Sequence, residues 1–160
     1  MKREVQDFGK KKLGTSIIFI NPSRQVLLFQ RDDKPHIPYP NCWDLLGGAV
    51  ETNESPGECI IREMKEEIGY DLDAPQLFKV TEFCDRVEYT YFEEVEFDVH
   101  TTPLHEGQRL RWFSKEEILA LPPNAIAFGF RPVLLDFLES EPWTSTQPKF
   151  GTYTSPSMSS

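Results

Sequence analysis

The stretch GGAVETNESPGECIIREMKEEIGY, residues 47–70, decides how the rest of the chain is read. From Ser55 onward its signals are helical. Ser55 suits an N-cap, Pro56 the first helical position, and Glu58 completes a Ser-x-x-Glu capping box. Gly69 closes the helix. Ile60, Ile61, Met64 and Ile68 keep the spacing of a buried stripe. At about 100° per residue, Glu63, Glu66 and Glu67 gather on a neighbouring sector. Carboxylates held that close repel one another unless something positive lies between them. Arg62, four residues after Glu58 and four before Glu66, neutralises part of the group. An ordinary solvated acidic face is the alternative, but it leaves the Gly47-Gly48 lead-in, Glu54 and the Arg62-Glu63 pair unexplained. Oxygen ligands grouped in this way suit Mg²⁺ or Mn²⁺ and not zinc. Such cations neutralise phosphate oxygens and activate water.

On the N-terminal side, TSIIFI (15–20) and QVLLFQ (25–30) are short apolar runs joined by the turn signal NPSR, which predicts a β-hairpin. DDKPHIPYPN (32–41) reads as a long loop, and CWDLL as a short strand running into Gly47-Gly48. On the C-terminal side, extended segments are expected at 77–84, 87–100 and 109–113. Ser114 and Glu117 form a second capping box ahead of a short helix, and an amphipathic last helix is expected from Phe130 to Leu138. The order predicts a mixed sheet covered by helices on both faces. Residues 1–12 read as a charged arm, 13–140 as one domain, and 141–160 as a Ser/Thr/Pro-rich tail.

Composition bounds the function. With 160 residues, 39% hydrophobic and 27% charged, the chain has the make-up of one soluble domain. A net charge of −9 argues against a nucleic-acid polymer as main partner, yet leaves room for a small phosphorylated ligand beside a metal ion. Cys42, Cys59 and Cys84 are odd in number and form no CxxC pair, as expected of reduced thiols in a cytoplasmic compartment. No apolar run is long enough to span a membrane. Oligomeric state is not legible.

Gly48, then Glu54, then Arg62-Glu63-Met64-Lys65-Glu66-Glu67-Ile68-Gly69-Tyr70 resembles the Nudix box, Gly-x5-Glu-x7-Arg-Glu-U-x-Glu-Glu-x-Gly-U, where U is bulky and aliphatic. Tyr70 departs from the final aliphatic position, and Leu46 stands where many members carry proline. The resemblance implies an α/β fold, the Nudix α/β/α sandwich, with a mixed β-sheet between helices. It implies that Glu63, Glu66 and Glu67 ligate the metal, joined by the Gly47 carbonyl, and that Glu54 and Arg62 position the helix and the catalytic water. Water would then attack a pyrophosphate linkage of a nucleoside diphosphate joined to another group, X.

HEGQRLRWFS (105–114) resembles a Glu-Gly-Gln segment of MutT-type nucleoside triphosphate pyrophosphohydrolases, which makes Glu106 the candidate fourth carboxylate. Arg31, Phe128 and Phe130 fall where MutT-like members bind substrate. Trp43 and Trp112 sit in apolar strand patterns and read as core. The asparagine expected for an oxidised guanine has no clean counterpart, because Asn124 lies too early. The expected substrate is a (deoxy)nucleoside triphosphate. A nucleotide sugar or other NDP-X compound, or a silent nucleotide-sensing module, are the alternatives.

Overall fold

The computed structural model describes residues 11–140. The tail at 141–160, and all but the last two residues of the arm, lie outside the described residues.

The hydrophobic run after Gly14 builds the central strand, β1 (Lys12–Ile20). Period-2 alternation sends Ile17 and Phe19 to one face and Ile18 and Ile20 to the other, and both sets are buried. One edge of β1 pairs in parallel with β6 (Arg86–Glu94) along its whole length. Its other edge is shared. Gly14 to Ile17 pair with β4 (Leu46–Ala49), whereas Ile20 meets Val26 of β2 (Val26–Gln30) across the expected hairpin. β3 (Trp43–Asp44) and β7 (Arg109–Phe113) flank β2, and β5 (Gln76–Glu82) forms the edge beyond β6. The result is a mixed seven-stranded sheet.

Helix α1 (Pro56–Ile68) covers the face carrying Ile17 and Phe19 with Ile60, Met64 and Ile68. Two helices, α2 (Lys115–Ala120) and α3 (Phe130–Leu138), cover the opposite face through Ile118, Val133, Leu134 and Phe137. This is the α/β/α sandwich expected. Each buried aliphatic or aromatic side chain in these layers contributes about 1.5–3 kcal/mol, so the two cores fix how α1 sits on the sheet.

Three local expectations are corrected. Ile61 is 37% exposed, because it lies at the margin of the stripe, and the sulfur of Cys59 is buried instead, against Thr15 and the carbonyls of Gly48 and Ala49. The segment 43–47 is not one strand. It changes partner at Leu45, from β2 to β1, and the redirection opens the sheet beside Gly47. Strand β6 ends at Glu94 and does not reach His100. After Val95 the chain turns about Asp98, whose backbone and carboxylate oxygens accept from His100, Thr101 and Thr102, while Phe97 and Val99 pack on the α1-side core. Trp43 is core, and Trp112 is partly buried with its indole N–H donating to the Phe97 carbonyl.

Candidate active site

The capping box of α1 is formed as read: the Ser55 hydroxyl accepts from Glu58 N–H, and the Glu58 carboxylate accepts from Ser55 N–H. That fixes the helix start and hence the azimuth of every carboxylate after it. Arg62 is the hub. Its Nε and Nη2 donate to the two carboxylate oxygens of Glu54 at 2.7 and 3.1 Å, a bidentate pair. Its Nη1 donates to Glu63 Oε2 and to Glu66 Oε1, each at 3.1 Å. The guanidinium holds the Glu54 carboxyl down at about 2, helped by the Glu51 N–H that the same carboxylate accepts. Glu63 lies over Gly48, where an added Cβ would fall 2.2 Å from its carboxylate. Burial pushes Glu63 above the usual carboxylate range, with Arg62 opposing.

Glu67 faces away from this clamp, toward the loop before β7. His105 N–H donates to the Glu67 carbonyl at 2.8 Å, which seats that loop on the end of α1. Burial first, and then the charge of Glu106, raise the Glu67 carboxyl, while the Glu106 backbone N–H opposes them. Glu67, Glu106, Gly47 and Gly48 line one cavity of about 400 Å³, a volume suited to a nucleoside-sized ligand.

The same cavity is lined by Arg31, Asp44, Arg86, Glu88, Phe128 and Phe130. Arg31 Nη1 donates to Asp44 Oδ2 at 3.0 Å, and Arg86 Nε donates to Glu88 Oε1 at 2.8 Å. Phe128 has left-handed backbone angles, φ 57° and ψ 24°, which a bulky residue adopts only when its surroundings impose them. Here its carbonyl accepts from Arg86 Nη2 at 2.8 Å, and its ring lies 5.0 Å from the Arg31 guanidinium and 5.7 Å from that of Arg86. Phe130 is buried in the α3-side core, 5.4 Å from the Arg86 guanidinium.

The family model for the NUDIX domain matches residues 10–149. The chain belongs to the Nudix family. Among curated relatives of this Nudix chain, a putative 8-oxo-dGTP diphosphatase of Bacillus subtilis is 43% identical over 36% of the chain and 35% of its own length. A CTP pyrophosphohydrolase of Escherichia coli is 34% identical over 50% of the chain and 61% of its own. Other relatives are named dihydroneopterin triphosphate diphosphatase and RNA pyrophosphohydrolase. The matches span less than two thirds of these curated relatives. The crystal structure of a MutT protein from Methanosarcina mazei Go1 shares the fold, with a TM-score of 0.60 at 22% identity over 81% of this chain and 93% of that one.

Nudix hydrolases generally use a divalent metal. Among the described residues, no three His, Cys, Asp or Glu side chains are already drawn together as a metal cage, since Arg62 holds Glu63 and Glu66. The donor set nevertheless fits a hard cation. It is all oxygen, and Glu67 and Glu106 line one cavity, where the Glu106 charge helps raise the Glu67 carboxyl. No helix among the described residues is long and apolar enough to cross a membrane. Of the residues singled out in the sequence, the structure brings Glu54, Glu63 and Glu66 onto Arg62, and Glu67, Glu106, Gly47, Arg31, Phe128 and Phe130 onto the cavity. Asp44, Arg86 and Glu88 were missed. For Asp44 and Glu88 the signal is a charged residue at a strand position flanked by apolar ones, as in WDLL and VEY, whereas Arg86, between Asp85 and Val87, carries none.

Proposed function

We propose that the chain is a Mg²⁺- or Mn²⁺-dependent pyrophosphohydrolase acting on a small (deoxy)nucleoside triphosphate, giving monophosphate and pyrophosphate. The observation that carries this reading is the meeting of Glu67 and Glu106 with Gly47-Gly48 in a nucleoside-sized cavity that also holds two arginines and three phenylalanines. A divalent cation bound by Glu63, Glu66, Glu67, the Gly47 carbonyl and Glu106 would supply the positive charge that the phosphate oxygens need. Arg62 and Glu54 hold Glu63 and Glu66 in place on the helix, and a bound cation would draw those two carboxylates from the guanidinium toward Glu67. Phe128, with the Arg31 guanidinium over its ring, would give the base an aromatic and a cationic contact. The free Cys42, Cys59 and Cys84 accord with a reducing, cytoplasmic setting.

The names of the relatives support a nucleotide substrate without agreeing on a base. 8-oxo-dGTP and dihydroneopterin triphosphate both contain a 2-amino-4-oxopyrimidine ring, which CTP lacks. The test is to incubate the protein with Mg²⁺ and a panel of nucleoside triphosphates, nucleotide sugars and other NDP-X compounds, and to score pyrophosphate and monophosphate release. Turnover of triphosphates is expected. Turnover of nucleotide sugars alone would move the assignment to another NDP-X class, and no turnover of any compound would favour a nucleotide sensor. Glu66→Gln and Glu67→Gln should each lower kcat by at least about a hundredfold, by weakening charge neutralisation at the phosphates. A near-normal rate in either variant would remove that residue from the site.

A further inference from the structure

Glu88 is a charged residue on a central strand, only 4% exposed, and it lines the cavity. The β1–β6 register sets it opposite Gly14, and the space a side chain at 14 would take is filled by the Glu88 carboxylate. A Cβ there would stand 2.6 Å from Glu88 Oε1. Arg86, two residues along the same strand, donates to that oxygen, and its guanidinium lies 4.1 Å from the Phe83 ring centre. The Ser16 hydroxyl also lies within hydrogen-bonding reach of the Glu88 carboxylate, which with its several lone pairs can still accept from other donors. Asp44, likewise held by Arg31, lies close enough for its charge to be felt by Glu88. An edge offering adjacent N–H donors would be welcomed.

We infer that Glu88 selects the base, accepting from the ring N–H and the exocyclic amine of a 2-amino-4-oxopyrimidine edge, the edge common to guanine and pterin rings. The inference rests on the nucleotide reading above and names the base class for the same site. Phe128 contributes the ring face and Glu88 the edge contact.

The discriminating pair is guanosine and inosine nucleotides, which differ by the 2-amino group alone. Binding of GMP and IMP is measured by calorimetry, without turnover, on the wild type and on Glu88→Gln and Gly14→Ala. The second variant keeps the carboxylate but pushes it out of place, so it decides the matter should Glu88→Gln fail to fold. Wild type should bind GMP at least about tenfold tighter than IMP, since a hydrogen bond to a charged group is worth that much. Both variants should bring the ratio to within about threefold. Equal affinities in the wild type, no binding of either nucleotide, or an unchanged preference in the folded variants would overturn the assignment. Hydrolysis of GTP and ITP is followed in parallel. Turnover with no preference defeats this inference alone, whereas a GMP preference without turnover defeats the hydrolase reading and leaves this one standing.

Discussion

A guanidinium that grips Glu54 with two nitrogens and reaches Glu63 and Glu66 with a third presents a planar fork that an ammonium lacks. Arg62→Lys should therefore keep the charge and lose the geometry. Under the proposed mechanism kcat should fall by about tenfold or more while the far-UV circular dichroism is unchanged. An unaltered kcat would show that the clamp has no bearing on turnover. Asp44 gives a test of a different kind. Burial, opposed by Arg31, raises its carboxyl from 3.8 to about 6. The folded protein therefore binds more protons at this position than the unfolded chain between those values. Its contribution to stability is fully present below about 3.8 and is lost as pH rises toward 6. Urea melts of wild type and Asp44→Asn should show a stability difference that shifts against the wild type across that window and is flat above it. A difference independent of pH would mean that Asp44 titrates as an exposed carboxyl does.

At the scale of elements, α1 and its approach carry the site. Ser55→Ala removes one acceptor of the capping box and should cost about 1 kcal/mol, read as a fall in Tm of a few degrees. Gly48→Ala attacks the same element from the strand side. Its Cβ would lie 2.2 Å from the Glu63 carboxylate, so Glu63 must swing away. The expected outcome is a loss of at least about tenfold in kcat with little change in Tm, and full activity would contradict the role proposed for Glu63. This helix was legible from the sequence because its determinants are local: a cap, a box, an N-terminal proline and a C-terminal glycine within one stretch. The break at Leu45 was not legible, because the apolar run CWDLL reads alike whether it follows one neighbour or changes between two. The end of β6 was missed for a related reason. Alternation continues through Phe97 and Val99, but those side chains reach the core from a turn-bounded loop and not from the ladder.

For the molecule as a whole, a net charge of −9 and the carboxylates that share the cavity mean that bound cation should stabilise the fold. At a tenfold excess over Kd the gain is about 1.4 kcal/mol, a rise in Tm of several degrees. The rise should appear in a thermal melt with millimolar Mg²⁺ and shrink in Glu67→Gln. No shift at any Mg²⁺ or Mn²⁺ concentration would speak against the metal assignment. The carboxylate end of the cavity was visible in the sequence, since most of its members share one helix and its lead-in. The other end was not. Glu88 meets Gly14 only through a parallel register spanning 74 positions of chain, and no short window contains that relation.

The same register ties two distant codons together. A lineage that acquires any side chain at position 14 must shorten or retract the one at 88, and a lineage that trims 88 frees 14 to vary. The order of change is therefore constrained: position 88 can give way first, whereas a side chain at 14 cannot precede it.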